Sequence, residues 1–284
     1  MPVDSVGRSG GTEHAPAALR ELGLVDVLGG GDAGDLDVRI RGEQRDPETG
    51  IVASADVLAT TSTLRGAVAE LVRRGERPFL AGGCCSEVPG ALAGARDAVG
   101  RVGLAYLDGH LDLYDGHTSP TGEAADMPIS VALGLGPAAW VDAAGGASLA
   151  PADAALVGHR DQEESRAYGM TQPGELGEDV VSLSVDDVRG EGPAAVGGRV
   201  AEALGAKPMW LHFDVDVLDQ EVFPATDYLL PNGMSWEELM PMMAPLASSE
   251  SLVGFSLGCY NPEKDPDRAC GRALVDALAR ALDG

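Results

Sequence analysis

The segment VGLAYLDGHLD, residues 102–112, joins an apolar run of strand length to a cluster of side-chain types that bind metal ions. The cluster consists of Asp108, His110 and Asp112, which stand at alternate positions directly after the run. Alternate side chains of an extended segment point to the same face. We therefore expect these three side chains to converge at the end of a strand.

Apolar runs of similar length recur along the chain, with helical patterns between them. The other runs are PFLAG (78–82), AALVG (154–158), MWLHF (209–213) and LVGFSLG (252–258). The helical patterns are TSTLRGAVAELVRRG (61–75), GPAAVGGRVAEALG (192–205) and SWEELMPMMAPLA (235–247), the last with a capping-box start. Continuous apolar strands that alternate with helices predict an α/β fold whose parallel central sheet is covered on both faces.

The size and charge of the chain restrict its class. Its 284 residues suit one domain, 1–284, because the Gly-rich segments 29–50 and 142–154 resemble surface connections rather than linkers. The 20 basic and 45 acidic residues give a net charge of −25, which repels nucleic acid and anionic lipid. This charge either attracts a cationic substrate or forms a solvated acidic surface.

The sequence also carries signals about the compartment. It contains no apolar run of about 18 residues that could span a membrane. The first residues, MPVDSVGRSGGTEHAP, include no apolar stretch of the signal-peptide type. Four cysteines are too few for a disulfide framework in a chain of this size. We expect a cytoplasmic protein with free thiols.

A second acidic pair follows the apolar run MWLHF, where Asp214 and Asp216 again stand two residues apart. Ligands of parallel sheets bind beyond the carboxyl ends of the strands, which is where both clusters are predicted to lie. Four carboxylates packed together could not all stay ionised without cations. Two divalent ions resolve the repulsion, and an oxygen-rich set with one imidazole favours manganese over a structural zinc ion.

These motifs resemble the signatures of the arginase (ureohydrolase) superfamily, which are a GGDHS-like turn, a DAHxD segment and an SxDxDxxDP segment. They occur here in the same order as GGCCSE (82–87), LDGHLD (107–112) and HFDVDVLD (212–219). The resemblance extends to GTEHAPAALRELGL (11–24) and GCYNPEKDPD (258–267). It implies a three-layer α/β/α domain, a dimanganese centre, hydrolysis of guanidinium or amidine compounds, and a homo-oligomer, often a trimer or hexamer.

The resemblance also implies roles for single residues. Five positions keep the family's metal ligands, namely Asp108, His110, Asp112, Asp214 and Asp216. In the family pattern Asp108 and Asp214 bridge both ions, and Asp112 also serves catalysis by accepting a hydrogen bond from the attacking hydroxide. That nucleophile arises because two cations lower the pKa of a shared water.

Cys85 stands where the GGDHS turn has its ligand histidine. A thiolate can bind a divalent ion, and zinc, iron or cobalt would then compete with manganese at this position. The alternative is a small buried cysteine behind a single or half-occupied metal site. The neighbouring Cys84 is expected to point away from the cluster.

Two further departures affect catalysis. The position of the family's proton-shuttle histidine is Ala125, and His117 in the same loop is either its replacement as a catalytic residue or a solvated histidine. The carboxylate that orients the substrate guanidinium is replaced by Cys259. A guanidinium cation would lose its partner there. Both changes favour a hydroxyguanidine, because its hydroxyl withdraws electrons and lowers the basicity of the group.

The remaining substrate contacts are carried over from the resemblance. Glu163 falls where arginases hold the α-amino group, Thr121 falls on a hydroxyl position at the α-carboxylate, and Tyr114 replaces an asparagine there. The sequence is similar to the actinobacterial hydroxyarginine amidinohydrolases of antibiotic pathways. We therefore expect conversion of Nω-hydroxy-L-arginine to ornithine and hydroxyurea. The alternatives are another ureohydrolase activity, on arginine, a guanidino acid or a formimino acid, and a weakly active metal-binding paralogue with a regulatory role.

Overall fold

The computed structural model describes residues 1–6 and 10–282; the predicted domain 1–284 also includes residues 7–9 and 283–284, which lie outside the described residues. The described residues form a six-stranded sheet in which every pairing is parallel. Its strands are β1 (Phe79–Ala81), β2 (Gly103–Leu107), β3 (Ala154–His159), β4 (Val181–Ser184), β5 (Met209–Asp214) and β6 (Leu252–Gly258). The prediction of a parallel central sheet is confirmed.

The order of the strands, β1-β6-β5-β2-β3-β4, sets the position of the site. From β2 the chain runs outward through β3 to β4, and it then returns to place β5 on the other side of β2. The winding therefore changes direction between β2 and β5. Open α/β sheets bind ligands at such a switch point, beyond the carboxyl ends of the strands.

Helices cover both faces of the sheet. They are α1 (Ala15–Glu21), α2 (Leu24–Leu28), α3 (Ser54–Arg73), α4 (Val88–Val99), α5 (Pro128–Ala132), α6 (Ala138–Ala143), α7 (Gln162–Ala167), α8 (Val185–Glu191), α9 (Pro193–Leu204), α10 (Trp236–Ala247) and α11 (Ala269–Leu282). Alternation along β2 divides the core, because Ala105 and Leu107 pack with α8 to α11 while Leu104 and Tyr106 pack with α3 to α6. The fold is the predicted three-layer α/β/α arrangement.

The helix starts show what the local patterns could predict. Helix α10 begins after Ser235, whose side chain accepts a hydrogen bond from the Glu238 amide, so the predicted capping box is present. Helix α3 begins at Ser54, seven residues before the predicted start at Thr61, because its buried face continues back to Val57. Strand β4 was not predicted, since only Leu183 of its four residues is fully buried.

The predicted loop over residues 29–50 contains no helix or strand apart from one isolated bridge at Arg45. The guanidinium of Arg45 donates hydrogen bonds to the carbonyl oxygens of Gly50, Gly116 and Ser119. It thereby ties this loop to the loop that follows the first metal-ligand segment. Within the described ranges, no helix is long and apolar enough to span a bilayer.

Candidate metal centre

The glycine turn after β1 carries Cys85 into the centre of the molecule. A Cβ atom on Gly83 would lie 1.5 Å from the carbonyl oxygen of Val3, so only glycine allows this close approach. Cys85 begins a 3₁₀ turn, Cys85–Glu87, that leads into α4, and its side chain is almost fully buried. The Cys84 thiol lies 2.9 Å from the Ser86 hydroxyl and belongs to neither group of potential metal ligands described below.

The two acidic segments are shaped by carboxylates that bind their own backbone. Asp108 Oδ1 accepts a hydrogen bond of 2.7 Å from the His110 amide, and Asp214 Oδ1 accepts one of 2.8 Å from the Asp216 amide. The expectation of an extended segment was wrong, because the chain bends after β2 and Asp112 has a φ of 50°. The side chains therefore converge through Asx-type turns rather than through strand alternation.

The structure brings most of the predicted ligands together in two groups whose ligand atoms lie within 4.8 Å of one another. The first group consists of Cys85, Asp108, His212 and Asp214, and the second of Asp108, His110 and Asp216. Asp108 belongs to both groups, and Asp214 to the first. The Cys85 Sγ to Asp214 Oδ2 distance is 2.6 Å, and the His110 Nδ1 to Asp216 Oδ2 distance is 3.1 Å.

Asp112 lies outside both groups and stays a predicted ligand. It is buried, and its Oδ2 accepts a hydrogen bond of 2.5 Å from the Tyr106 hydroxyl. Burial raises the pKa of Tyr106 well above its usual range, and the nearby carboxylates raise it further, so the hydroxyl stays protonated and donates. Tyr106 therefore holds the Asp112 carboxylate in one orientation.

The pKa shifts of the clustered side chains indicate whether the cluster suits divalent cations. Burial and the charge of Asp216 raise the pKa of Asp108 to about 6, and the same causes raise the pKa of Asp214 well above its usual range. Burial also raises the pKa of Cys85, with Cys259 and Asp214 adding to the effect, so the thiol donates to Asp214. Divalent cations would remove this repulsion and ionise the thiol. The donor atoms present thus fit a binuclear metal site.

The residues predicted to serve catalysis or to bind substrate occupy different surroundings. His117 and Glu163 are exposed, the latter on α7. Thr121 is exposed and donates a 2.6 Å hydrogen bond to Asp126, and Tyr114 is half-buried against the α3 to α6 side of the core. Cys259 contacts the first group, with its Sγ 3.8 Å from Cys85 Sγ.

Three residues near the site were not predicted from the sequence. His212 and Tyr106 lie inside apolar runs, and their rings stack at a centroid distance of 4.9 Å. Arg160 follows β3 and donates to the carbonyl oxygens of residues 216, 217, 218, 230 and 231, which fixes the loop after β5. A histidine at the Ser position of the SxDxDxxDP signature was the available signal for His212, and a polar residue just beyond a strand end was the signal for Arg160.

A parallel α/β sheet with buried cysteine, histidine and aspartate groups at its carboxyl edge is typical of a metal-dependent hydrolase. Residues 1–282 match the Arginase family, and the chain belongs to that family. The predicted family of metal-dependent amidinohydrolases is therefore confirmed.

Individual relatives agree with this assignment. The chain is 31% identical to the N(omega)-hydroxy-L-arginine amidinohydrolase of Streptomyces lavendulae over 82% of this chain and 79% of the relative. It is 25% identical to the arginase of Bacillus subtilis over 99% of this chain and 95% of the relative. A crystal structure of Bacillus subtilis arginase superposes with a TM-score of 0.85 at 24% identity, covering 100% of this chain and 97% of that chain, which supports the fold.

Proposed function

We propose that this protein hydrolyses a guanidino-type C–N bond in a small amino-acid-like substrate, with Nω-hydroxy-L-arginine as the best candidate and ornithine and hydroxyurea as products. The observation that carries the proposal is the position of Cys259, a thiol 3.8 Å from Cys85 Sγ where the resemblance implies a carboxylate. A guanidinium cation would be desolvated there without that partner, whereas a neutral hydroxyguanidine would lose less. The name of the Streptomyces lavendulae relative supports the same substrate.

The metal sites of the proposal use the two groups described above. Cys85, Asp108 and Asp214 would hold one ion, and Asp108, His110 and Asp216 the other, with Asp112 as a further ligand. Bound there, two divalent cations would act as Lewis acids on water and substrate. We propose manganese, with zinc, iron or cobalt competing at Cys85 because thiolate is a soft ligand.

The protein's own groups would then position the reactants. Asp112, held by Tyr106, would accept a hydrogen bond from the attacking water. The half-buried methyl group of Ala125 can transfer no proton to the departing amine. His117, exposed in the same loop, is the proposed replacement. The departing amine is the ornithine nitrogen for arginine and for hydroxyarginine alike, so the preference for a hydroxyguanidine rests on Cys259 and not on the proton donor.

The remote end of the substrate would meet the residues carried over from the resemblance. We propose that Glu163 receives the α-amino group and that Thr121 and Tyr114 contact the α-carboxylate. Thr121 already donates to Asp126, which holds its hydroxyl in one position. A cationic amino group also suits the net charge of −25. Cytoplasmic location and a trimeric or hexameric assembly complete the proposal, and size-exclusion chromatography with light scattering measures the assembly directly.

Turnover of a substrate panel tests this function. Protein purified without chelator is assayed with hydroxyarginine, arginine, guanidino acids and formimino acids, and each product is identified by mass. We expect two metal equivalents per chain and hydroxyurea release at the highest kcat/KM of the panel. A single tightly held zinc ion without amidine hydrolysis would refute the proposal and favour the regulatory paralogue.

Arginine is the second candidate, because arginases match nearly the whole chain at 25–27% identity. A higher kcat/KM for arginine than for hydroxyarginine would establish it in place of the first candidate. The same panel therefore separates the two substrates.

A further inference from the structure

The buried imidazole of His212 is the feature that the family pattern does not explain. It lies near the end of β5, is fully shielded from solvent, and faces the first group of potential ligands. Its Nε2 atom is 3.4 Å from Cys85 Sγ. The ligand atoms of His212, Cys85, Asp108 and Asp214 all lie within 4.8 Å of one another, which is the spacing of groups that can share one ion.

The opposite side of the ring is held in place. His212 Nδ1 lies 2.7 Å from the Ser256 hydroxyl oxygen, which also accepts a hydrogen bond of 2.9 Å from Trp210 Nε1. When His212 Nδ1–H donates to Ser256, the lone pair of Nε2 points toward the cluster. Metal-binding histidines are usually oriented in this way, by a hydrogen bond from the other ring nitrogen. The stacked ring of Tyr106 further restricts rotation.

We propose that His212 is a metal ligand, and that Cys85, Asp108, His212 and Asp214 together bind one divalent cation of borderline softness, such as zinc or cobalt. The family signatures place a ligand histidine in the glycine turn and a serine at the position of His212. In this chain the turn carries Cys85, and the imidazole lies on β5 instead. One sulfur, one nitrogen and two oxygen donors match the ligand types that zinc prefers. The second group, with two carboxylates and one imidazole, suits a harder ion such as manganese.

This inference rests on the metal centre of the proposed function but can be tested without any substrate. The probe is Co²⁺, titrated into metal-depleted full-length protein. The ultraviolet thiolate-to-cobalt charge-transfer band reports on Cys85, and the intensity of the visible bands reports on the coordination number. We expect the wild-type protein to show the thiolate band together with the strong visible bands of four-coordinate cobalt.

The decisive variant is His212→Asn, whose side-chain amide can keep the hydrogen bond to Ser256 while it removes the Nε2 donor. Changes around metal ligands typically weaken metal binding by about 10–100-fold, so loss of a direct ligand should raise the Kd for this cobalt ion by at least about 100-fold. The visible bands should weaken as well. His159→Gln, which removes another buried imidazole outside both groups, is the matched control and should change neither quantity.

A double variant tests the exchange of positions. Cys85→His combined with His212→Ser restores the family arrangement, and we expect it to bind Mn²⁺ more tightly than either single variant. Retention of the second ion shows that each variant is folded. An unchanged cobalt affinity and visible spectrum in His212→Asn would overturn the inference, whatever the activity. Intact metal spectra without amidine hydrolysis would instead refute the proposed function alone.

Discussion

The hydrogen bond between Tyr106 and Asp112 offers a quantitative test of how the site orients its carboxylates. The donor is fully buried, the O–O distance is 2.5 Å, and the acceptor is a carboxylate. Hydrogen bonds to charged groups contribute about 1.5–3 kcal/mol. If Asp112 acts on the attacking water, Tyr106→Phe should lower kcat by about 10–100-fold, since each 1.4 kcal/mol corresponds to about a factor of ten.

The direction in which Tyr106→Phe shifts the kcat–pH profile separates an orienting role of Tyr106 from a simple loss of stability. The Tyr106 hydrogen bond lowers the pKa of Asp112, which burial and the charge of Asp108 raise well above its usual range. Its removal should therefore move the acid limb of the kcat–pH profile to higher pH, because the carboxylate is then protonated at higher pH. Steady-state kinetics across the pH range measures both quantities.

The chain contains a matched control in Tyr260, a buried tyrosine whose hydroxyl donates a 2.8 Å hydrogen bond to the Asp265 carboxylate outside both ligand groups. Tyr260→Phe should lower the free energy of unfolding by a similar amount in urea titrations but leave kcat and its pH profile unchanged. If Tyr106→Phe reduces kcat no more than Tyr260→Phe does, the orienting role is refuted.

Three further predictions follow from the same structure. Cys85→His should shift the metal preference of the first group toward manganese, and an unchanged metal content and preference by elemental analysis would show that Cys85 is not a ligand. Ala125→His should raise kcat for hydroxyarginine and for arginine, because the same ornithine amine departs from both and would then receive a proton, and an unaltered kcat would contradict the shuttle explanation. Burial lowers the pKa of His159 from 6.5 to about 4. The unfolded chain therefore protonates His159 at a higher pH than the folded protein does, and the free energy of unfolding falls as the pH drops below about 6.5, by about 2 kcal/mol at pH 5. His159→Gln should remove this pH dependence of the free energy of unfolding, measured by urea titration. An unchanged pH dependence would contradict the assignment.

The sequence alone determined that the central sheet is parallel, located five of its six strands, and indicated the family of the site. Continuous apolar runs separated by helical patterns indicate a parallel sheet, because strands buried on both faces need apolar residues at every position. The pairs around Asp108 and Asp214 directly follow two of these runs, and their spacing reflects local turns that short-range hydrogen bonds maintain. Such features depend on neighbours in the chain and are therefore visible in the sequence.

The direction of each buried side chain was decided only by the tertiary structure. In MWLHF every residue is buried, so the pattern does not say which face His212 occupies; pairing of β5 with β2 and β6 places it against Tyr106 and Ser256. Likewise, Cys85 and Cys259 lie 174 positions apart in the sequence. They come into contact because they follow β1 and β6, which pair in parallel and end at the same edge of the sheet. The physical reason is that a fully buried sheet carries no polar alternation, and only packing between distant segments assigns each side chain to the site or to the core.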